Sequence, residues 1–486
     1  MSETSHSPQK RGLDGLPCEI QLQICTQLCV HCSEDINKFD RWADGDENQR
    51  TLLALSQTSH TFHRLAQPIA FHRFQQIPTN WSTNAFVKFA RTLIDRPDLA
   101  AQVKELCQHC YEVGGWSTQK DFNMLKAAAD RLGMGDEDDA NFESAEEEDL
   151  SAGKFCMELL IALLPNLETL YLMFEDQGNY EQTTYTYLQR RLNKLGSDGT
   201  LKHLRRVILD TEENWGFFFS IPAVGVLHQV APNLDELIIR HNKGFESMDV
   251  AHSNLGAMFS GPTQSLRTLR LDHCALSNDP LSTSFLDLLT RHAPKLEHFS
   301  YRSQAPYFGE GLGTHLTPRE MIKCLRPLSG TLKSIDIDLT DHLDDDEQSR
   351  LVTGRSLAMF EKLEDLRLDE HAFCRHYIEG PDAPRRTANT CLTDLVPPTL
   401  KVLTVRVYDD CCLWPDLEEL VSSASSKFPK LKKIIVHTIW RMGSTATHRD
   451  CQEAVRAKGQ AFQDFVASTH LKLEMHEHRY WLPDVY

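Results

Sequence analysis

A short phrase with the pattern of "NLETLYL" occurs nine times in this 486-residue chain. Counting from its first leucine, each copy places apolar residues at positions one, four and six, and the last two share one face of an extended strand. The copies begin at Leu167, Leu204, Leu234, Leu266, Leu296, Leu332, Leu363, Leu400 and Leu431. Neighbouring copies are about 30 to 37 residues apart, an interval typical of repeat proteins. The phrase therefore predicts a solenoid in which each unit buries its apolar face against its neighbours.

A helix-like segment precedes many copies of the phrase. In "SFLDLLTRHAP" and "LEELVSSASSKFP" the apolar residues are three or four positions apart, and each segment stops at a proline, which ends helices. The predicted unit is therefore helix, loop, strand. An array of such units bends because helices are wider than strands. The expected fold class is α/β, a horseshoe solenoid with short parallel strands on its concave side and helices on its convex side.

These units resemble leucine-rich repeats. The resemblance covers residues 90–480, with "QVKELCQHC" as a degenerate first strand and "LKLEM" as a last one. An acidic run interrupts this region, because the sequence from Asp136 to Asp149 holds nine acids and no base. Such a block has little to bury, so we predict a disordered insertion over residues 134–151. Further surface insertions are predicted at residues 341–348 and 379–389.

The charge and composition restrict the partners and the compartment. A formal net charge of -18 argues against broad contact with nucleic acid or anionic lipid, because phosphate binding needs clustered Lys and Arg. Residues 1–12 are predicted to be a disordered leader without the apolar core of a signal peptide. No nucleic acid and no membrane is expected as a partner. Fourteen cysteines without a signal peptide predict reduced thiols in the cytosol, the nucleus or both.

The sequence offers no strong motif for catalysis. It contains no P-loop, no G-x-S-x-G, no H-E-x-x-H and no C-x-x-C pair at zinc-ribbon spacing, so neither an enzyme activity nor a cofactor is expected. Two groups could be imagined as zinc ligands: Cys25, Cys29, His31 and Cys32, and also Cys107, His109 and Cys110. Because Cys25 and Cys29 are one helical turn apart on an apolar face, buried structural thiols are the favoured interpretation, and no metal site is predicted.

The first 75 residues have a different pattern. Apolar residues spaced four apart, the period of one helix face, are Leu16, Ile20, Ile24 and Leu28. Pro17 stands near the start of this helix, where its missing N–H costs little. After a polar stretch, apolar residues again recur three or four apart and predict a second helix over residues 52–68. A small helical module over residues 13–75 is therefore expected, either docking on something else or capping the solenoid.

The module resembles the F-box motif. The match rests on Leu16-Pro17-x-Glu19-Ile20 and then on "LLALSQTSHTFHRLA". This resemblance implies binding to the adaptor subunit of an SCF-type cullin-RING ubiquitin ligase, and through the adaptor to a cullin. The residues that it implies in adaptor binding are Leu16, Pro17, Ile20, Ile24, Leu28, Leu53, Leu55, Ser59 and Phe62.

The same resemblance implies a non-catalytic receptor whose repeats bind the protein to be ubiquitinated. Two alternatives stay open. The chain can be an interaction scaffold that keeps the adaptor contact but feeds no target to a ligase. It can also be an enzyme with an unrecognised active site on the repeats, which the lack of motifs disfavours.

Side chains between the buried apolar positions of each strand must point to the opposite side, the concave face of the predicted horseshoe. The residues expected to bind the target there are Tyr171, Arg240, Arg270, Asp272, Arg302, Asp336, Arg367, Arg406 and His437. Arg240, Arg270 and Arg302 are expected to form a column on neighbouring strands. Because stacked guanidiniums repel one another unless an anion joins them, an acidic or phosphorylated target segment is predicted to bind there, with Asp272 setting its register.

Overall fold

The computed structural model describes residues 12–32, 44–75, 83–110, 119–132, 159–174, 201–211, 217–220, 227, 230–246, 265–274, 276, 280–303, 316–339, 357–373, 391–407, 413–441 and 447–480. The predicted leader before residue 12, the predicted acidic insertion and the runs 341–348 and 379–389 lie outside the described residues. The chain divides into two compact units, Met1–Glu212 with Val230–Asn233, and Glu213–Gln229 with Leu234–Tyr486.

Three helices form the N-terminal module: α1 (Cys18–Leu28), α2 (Asp44–Ser56) and α3 (His60–Ala70). Helix α1 begins after Pro17, as predicted. The prediction of one helix over residues 52–68 is wrong, because helical structure is interrupted at residues 57–59. Ser59 is the N-cap of α3, and its hydroxyl accepts a hydrogen bond of 3.3 Å from the backbone N–H of Phe62. The hydroxyl thereby satisfies an N–H that has no partner inside the new helix.

Apolar side chains from the three helices form the core of this module. The buried members are Cys25, Cys29, Leu52, Phe62, Ala66, Ile69 and Ala70, and Leu28, Cys32, Leu55 and Leu65 are partly buried against them. Several members are small, so the core is small too. The module therefore has little inward-facing surface with which to bury the rest of its apolar side chains.

The first compact unit also holds four parallel strands. In their order across the sheet they are β1 (Arg73–Gln75), β2 (Glu105–Cys110), β3 (Thr169–Phe174) and β4 (Arg206–Thr211). The helices α4 (Thr83–Asp95), α5 (Pro97–Ala100) and α6 (Gln119–Arg131) stand between these strands in the sequence. Strand β1 was not predicted. It closely follows α3 at the end of the module and pairs with β2, so the module is joined to the sheet by backbone hydrogen bonds.

The second compact unit repeats this arrangement. Its strands are β5 (Phe217–Ser220), β6 (Glu236–Arg240), β7 (Asn242–Glu246), β8 (Thr268–Cys274), β9 (His298–Ser303), β10 (Ser334–Asp338), β11 (Asp365–Asp369), β12 (Val402–Val407), β13 (Lys433–Arg441) and β14 (Lys472–Tyr480). Strands β5 and β7 pair with each other, and the other eight form a parallel series in chain order. Its helices are α7 (Pro280–His292), α8 (Pro318–Leu325), α9 (Cys391–Leu395), α10 (Leu413–Lys427) and α11 (Thr447–Ala467).

All nine copies of the repeated phrase become strands, as predicted. Each of these strands begins two residues after the first leucine of its phrase, for example at Thr169 after Leu167 and at Lys433 after Leu431. The degenerate first and last phrases are strands as well, β2 and β14. The predicted helices before the phrases at Leu296 and Leu431 are α7 and α10, and each ends shortly before a proline.

Buried leucines and backbone hydrogen bonds hold the strands of successive phrases together. In β11, for example, Leu366 and Leu368 are fully buried. The backbone N–H of Lys333 donates to the carbonyl of Glu297 at 2.7 Å, and the N–H of Glu364 donates to the carbonyl of Lys333 at 2.8 Å. Parallel strands with intervening helices therefore form a mixed α/β repeat architecture. The curvature of a horseshoe and the leucine-rich-repeat assignment stay predictions. None of the described helices has both the length and the apolar character that crossing a membrane requires.

Candidate functional site

The N-terminal module carries exposed apolar side chains. Among the described residues, the large hydrophobic side chains that are exposed are Leu13 (46%), Leu16 (37%), Ile20 (42%), Leu22 (43%) and Leu53 (39%). All five belong to the segment around α1 and to α2. A concentration of apolar side chains at the surface of one small module marks the module as a place where a partner can dock, and Leu16, Ile20 and Leu53 among them are predicted adaptor residues, whereas Leu13 and Leu22 are not.

The buried side of α1 explains why Leu16 and Ile20 face outward. Gln21 and Cys25 are the residues of α1 that are buried. The side-chain amide of Gln21 donates to the carbonyls of Leu13 at 2.9 Å and Leu16 at 3.1 Å, which fixes the segment before the helix. With this edge turned inward, Leu16, Pro17 and Ile20 are exposed, as the adaptor prediction requires.

Further predicted adaptor residues differ in their accessibility. Ile24 and Leu28 on α1 are half-buried, Leu53 is exposed and Leu55 is half-buried. Phe62 is only 1% exposed and lies in the core of the module, so its predicted place on the docking surface is corrected. The apolar side of α3 faces the other two helices, and Phe62 holds them together.

Ser59 links two parts of the module. Besides capping α3, its hydroxyl donates to a carboxylate oxygen of Asp14 at 2.8 Å. This hydrogen bond brings the segment before α1 to the start of α3. Sequence reasoning missed the contact, because two residues 45 positions apart carry no joint pattern.

The strand residues predicted to bind a target are only partly at the surface. Tyr171 is 1% exposed, and its hydroxyl donates to a carboxylate oxygen of Asp210 at 2.5 Å, so its predicted place on an open face is corrected. Arg270, Arg302 and Arg367 are exposed. The remaining predicted side chains are at least half-buried, namely Arg240, Asp272, Asp336, Arg406 and His437.

The predicted arginine column is wrong. Strand register places Arg240 opposite Asp272, Arg270 opposite Ser300, and Arg302 opposite Asp338. The three arginines do not align because Arg270 is at the fifth position of its phrase, whereas Arg240 and Arg302 are at the seventh position of theirs.

Buried acids within the protein already accompany these arginines. Asp272 is 7% exposed and has a carboxylate oxygen 3.0 Å from Nη2 of Arg270 and 3.8 Å from Nε of Arg240. Asp272 therefore pairs with its own chain and is not placed to set the register of a bound segment.

Two further acids bind arginines on the same strands. A carboxylate oxygen of Asp338 lies 3.2 Å from Nε of Arg302 and 3.3 Å from Nε of Arg406. Nη1 of Arg406 also lies 3.1 Å from a carboxylate oxygen of Asp336. Burial raises the pKa of the Asp336 carboxyl, although the nearby Arg406 and Arg367 act against this shift. The group is an internal charge network across β9, β10 and β12.

The last strands present a group of histidines. The rings of His437 and His478 are stacked with centroids 4.9 Å apart, and His476 stacks on His437 at 5.0 Å. Burial, followed by the charges of His478 and His476, lowers the pKa of His437 to about 4. His437 is therefore a neutral ring at physiological pH, and it offers a target an aromatic surface rather than a charge.

The described cysteines include two residues of a group that also contains two histidines. The free thiols are Cys18, Cys25, Cys29, Cys32, Cys107, Cys274 and Cys324. Cys25 is fully buried, as expected for a structural thiol, and the side chains of His109 and Cys110 lie outside the described part of the chain. Cys29, His31 and Cys32, however, meet His72, with one potential metal-binding atom from each within 4.8 Å of the others.

Comparisons with known proteins do not identify this chain. A scan against protein-family models and a search of curated proteins each find no match.

Proposed function

We propose that the chain is the substrate-recognition subunit of an SCF-type cullin-RING ubiquitin ligase, with residues 13–75 as its F-box and the repeats as its target-binding part. The observation that carries the proposal is the apolar surface at Leu16, Pro17 and Ile20. These residues stand where the F-box resemblance requires adaptor contacts, and their side chains are exposed. An adaptor that covers them removes apolar area from water, which favours association.

In this function the chain carries no catalytic residue. It holds a target protein beside the ubiquitin carrier of the ligase, and this proximity raises the effective concentration of the target lysine. The repeats suit such a task because a series of parallel strands presents a long row of side chains whose identity changes from one strand to the next.

The proposal leaves the chemistry of the target open. Since Asp272 and Asp338 accompany Arg240, Arg270 and Arg302, the arginines do not require an anion from a partner. An acidic or phosphorylated segment is therefore not proposed as the target. The exposed side chains of Arg270, Arg302 and Arg367 remain the proposed target contacts on the strands.

The adaptor contact is tested by the double variant Leu16→Ala/Ile20→Ala. We expect its affinity for a purified SCF adaptor to fall by at least about tenfold, because truncating central interface residues commonly costs more than 1 kcal/mol each. The matched control is Leu22→Ala, which removes an equally exposed leucine from α1 about half a helical turn away from Ile20. Binding is measured by calorimetry, and circular dichroism checks that each variant is folded.

A folded double variant that binds the adaptor as tightly as the wild type would contradict the F-box assignment. The scaffold alternative needs a second experiment, because it shares the adaptor contact. Proteins that co-purify with the chain from cells in which the ligase is inhibited are identified, and their half-lives are compared with and without the chain. A receptor shortens the half-life of at least one of them, whereas a scaffold leaves all of them unchanged.

A further inference from the structure

Four side chains from two distant parts of the sequence converge at one end of the module. Cys29, His31 and Cys32 follow the last residue of α1, and His72 follows the end of α3. Each offers one sulfur or nitrogen atom, and the four atoms lie within 4.8 Å of one another. We propose that Cys29, His31, Cys32 and His72 bind a structural Zn²⁺ ion, independently of the proposed adaptor function.

Three of the distances between the four atoms are close to those of a zinc tetrahedron. With Zn–S bonds of about 2.3 Å and Zn–N bonds of about 2.1 Å, a sulfur and a nitrogen ligand are separated by about 3.6 Å. Sγ of Cys32 lies 3.3 Å from Nδ1 of His72 and 3.7 Å from Nδ1 of His31. Sγ of Cys29 lies 3.7 Å from Nδ1 of His72. These three pairs are therefore already near ligand spacing, and with all four atoms within 4.8 Å of one another, binding requires adjustment of side chains rather than a large movement of the backbone.

The kind of ligand selects the kind of metal. Two thiolates and two imidazoles form the S₂N₂ set that binds Zn²⁺ tetrahedrally, whereas Mg²⁺ and Ca²⁺ prefer oxygen ligands. The charges also agree, because two thiolates neutralise one Zn²⁺ ion. A neutral centre can be accommodated in a half-buried place at lower cost than a charged one.

Residues around the four side chains hold them in orientation. Nδ1 of His31 faces Cys32, while Nε2 of the same ring lies 3.6 Å from a carboxylate oxygen of Glu168. A carboxylate facing the outer nitrogen of a ligand histidine is a recurring feature of zinc sites. Nζ of Lys104 lies 2.8 Å from the other oxygen of Glu168 and fixes the carboxylate.

His72 is fixed through its backbone. Its carbonyl accepts hydrogen bonds from the N–H groups of Lys104 and Glu105, at 2.8 Å and 2.9 Å, where β2 begins. The zinc ion would thus join the end of α1 to the end of α3 and, through His72 and Glu168, to the first strands of the sheet. Its role is to fasten the three-helix module to the first strands of the sheet within the first compact unit.

The first test measures metal in the purified full-length chain. We expect about one equivalent of zinc per chain by inductively coupled plasma mass spectrometry, as for a closed four-ligand site. Replacing zinc by Co²⁺ should give thiolate-to-metal charge transfer together with the intense d–d absorption of a tetrahedral centre. Failure to bind either zinc or Co²⁺ under reducing conditions overturns the proposal. So does a Cys29–Cys32 disulfide in the chain freshly purified without reductant.

Variants then locate the metal. Cys32→Ser and His72→Ala should each lose the bound zinc and the Co²⁺ charge-transfer band. Cys18→Ser, which alters an exposed cysteine at the start of α1, should keep both. Zinc that persists in a Cys32→Ser/His72→Ala double variant overturns the assignment of these ligands. Since a ligand variant can fail to fold, Glu168→Gln supplies a milder test.

Glu168→Gln is expected to keep the zinc but to weaken its affinity by about 10- to 100-fold, measured by competition with a chromophoric chelator. The matched control is Glu297→Gln, because Glu297 occupies the same position of a later phrase and also pairs with a lysine, Lys333, at 2.8 Å. An unchanged affinity in Glu168→Gln overturns the role of Glu168.

In the wild-type chain, chelation should lower the melting temperature of the module by several degrees, and added Zn²⁺, but not Mg²⁺, should restore it. A melting temperature that chelation does not change overturns the structural role.

Discussion

The three-helix module and the strands of the second compact unit place their apolar side chains in different ways. Along β8 to β12 the apolar positions of each phrase are buried almost completely, as at Leu269, Ile335 and Leu403. In the module, Leu16 and Ile20 stay 37% and 42% exposed, although they belong to the most regular apolar stripe of that segment. The same residue types therefore stabilise the fold in one region and remain available for a partner in the other.

The difference follows from how each region finds neighbours for its apolar side chains. A strand in a repeat series has another strand on each side and helices next to it, so its apolar positions are covered by adjacent units. A helical module of about 60 residues has one small core, to which α1 contributes Cys25 and the partly buried Leu28. Leu16 and Ile20 lie outside this core, so their side chains stay in contact with water in the free chain.

The largest expected effect tests this comparison directly. Leu403→Ala, in β12, should lower the free energy of unfolding by about 2 to 5 kcal/mol, because it removes a fully buried side chain and leaves a cavity. Ile20→Ala should change it by no more than about 0.5 kcal/mol in the isolated chain, because the side chain is already in contact with water. Both values come from chemical denaturation followed by circular dichroism.

A cost for Ile20→Ala that equals the cost for Leu403→Ala would break the comparison. It would mean that the surface stripe of α1 is needed by the free chain itself. In that event the loss of adaptor binding in the Leu16→Ala/Ile20→Ala variant would report unfolding and not a lost contact.

The repeats could be predicted well from the sequence because each phrase contains its own local pattern. Leucine at the first position and apolar residues at the fourth and sixth define the strand and its inner face without reference to distant residues. The same holds for α1, whose four-residue spacing and preceding Pro17 agree with its observed start. The break before α3 was missed because apolar spacing continues across residues 57–59, and only the N-cap role of Ser59 marks it.

The polar contacts could not be predicted, because they depend on register and on distant pairing. Asp272 meets Arg240 only because β6 and β8 pair in one particular register. His72 joins Cys29 and Cys32 only because the end of α3 lies beside the end of α1, about 40 residues later in the chain. Neither pairing leaves a periodic pattern in the sequence, so an arginine column was expected and a four-ligand group was not.

A smaller effect is expected from the charge network across β9, β10 and β12. It extends the comparison of buried and exposed side chains from apolar to charged residues. Asp338→Asn should lower the free energy of unfolding by roughly 1 to 3 kcal/mol, because Arg406, which is 12% exposed, loses one of its carboxylate partners. Asp365→Asn is the matched control, since Asp365 pairs with the 48% exposed Arg367 and should contribute no more than about 1 kcal/mol. Equal costs for both variants in chemical denaturation would show that burial does not distinguish the two pairs.

The smallest expected effect concerns pH and His437, at the last strands. Burial and then the charges of His478 and His476 lower its pKa from 6.5 to about 4 in the folded chain. Between these two values the unfolded chain binds more protons at this residue than the folded chain does. The contribution of His437 is therefore complete above pH 6.5 and is lost as the pH falls towards 4.

Replacing His437 by Asn should remove this dependence without changing the shape of the side chain greatly. We expect the denaturation midpoint of the wild type to fall more between about pH 7 and pH 5 than that of His437→Asn, by a modest amount because the ring is only half-buried. His298→Asn, at an exposed histidine of β9, serves as the control and should keep the slope of the wild type. If His437→Asn keeps that slope as well, His437 titrates in the folded chain as an exposed histidine does. The histidine group would then not contain a buried titrating residue.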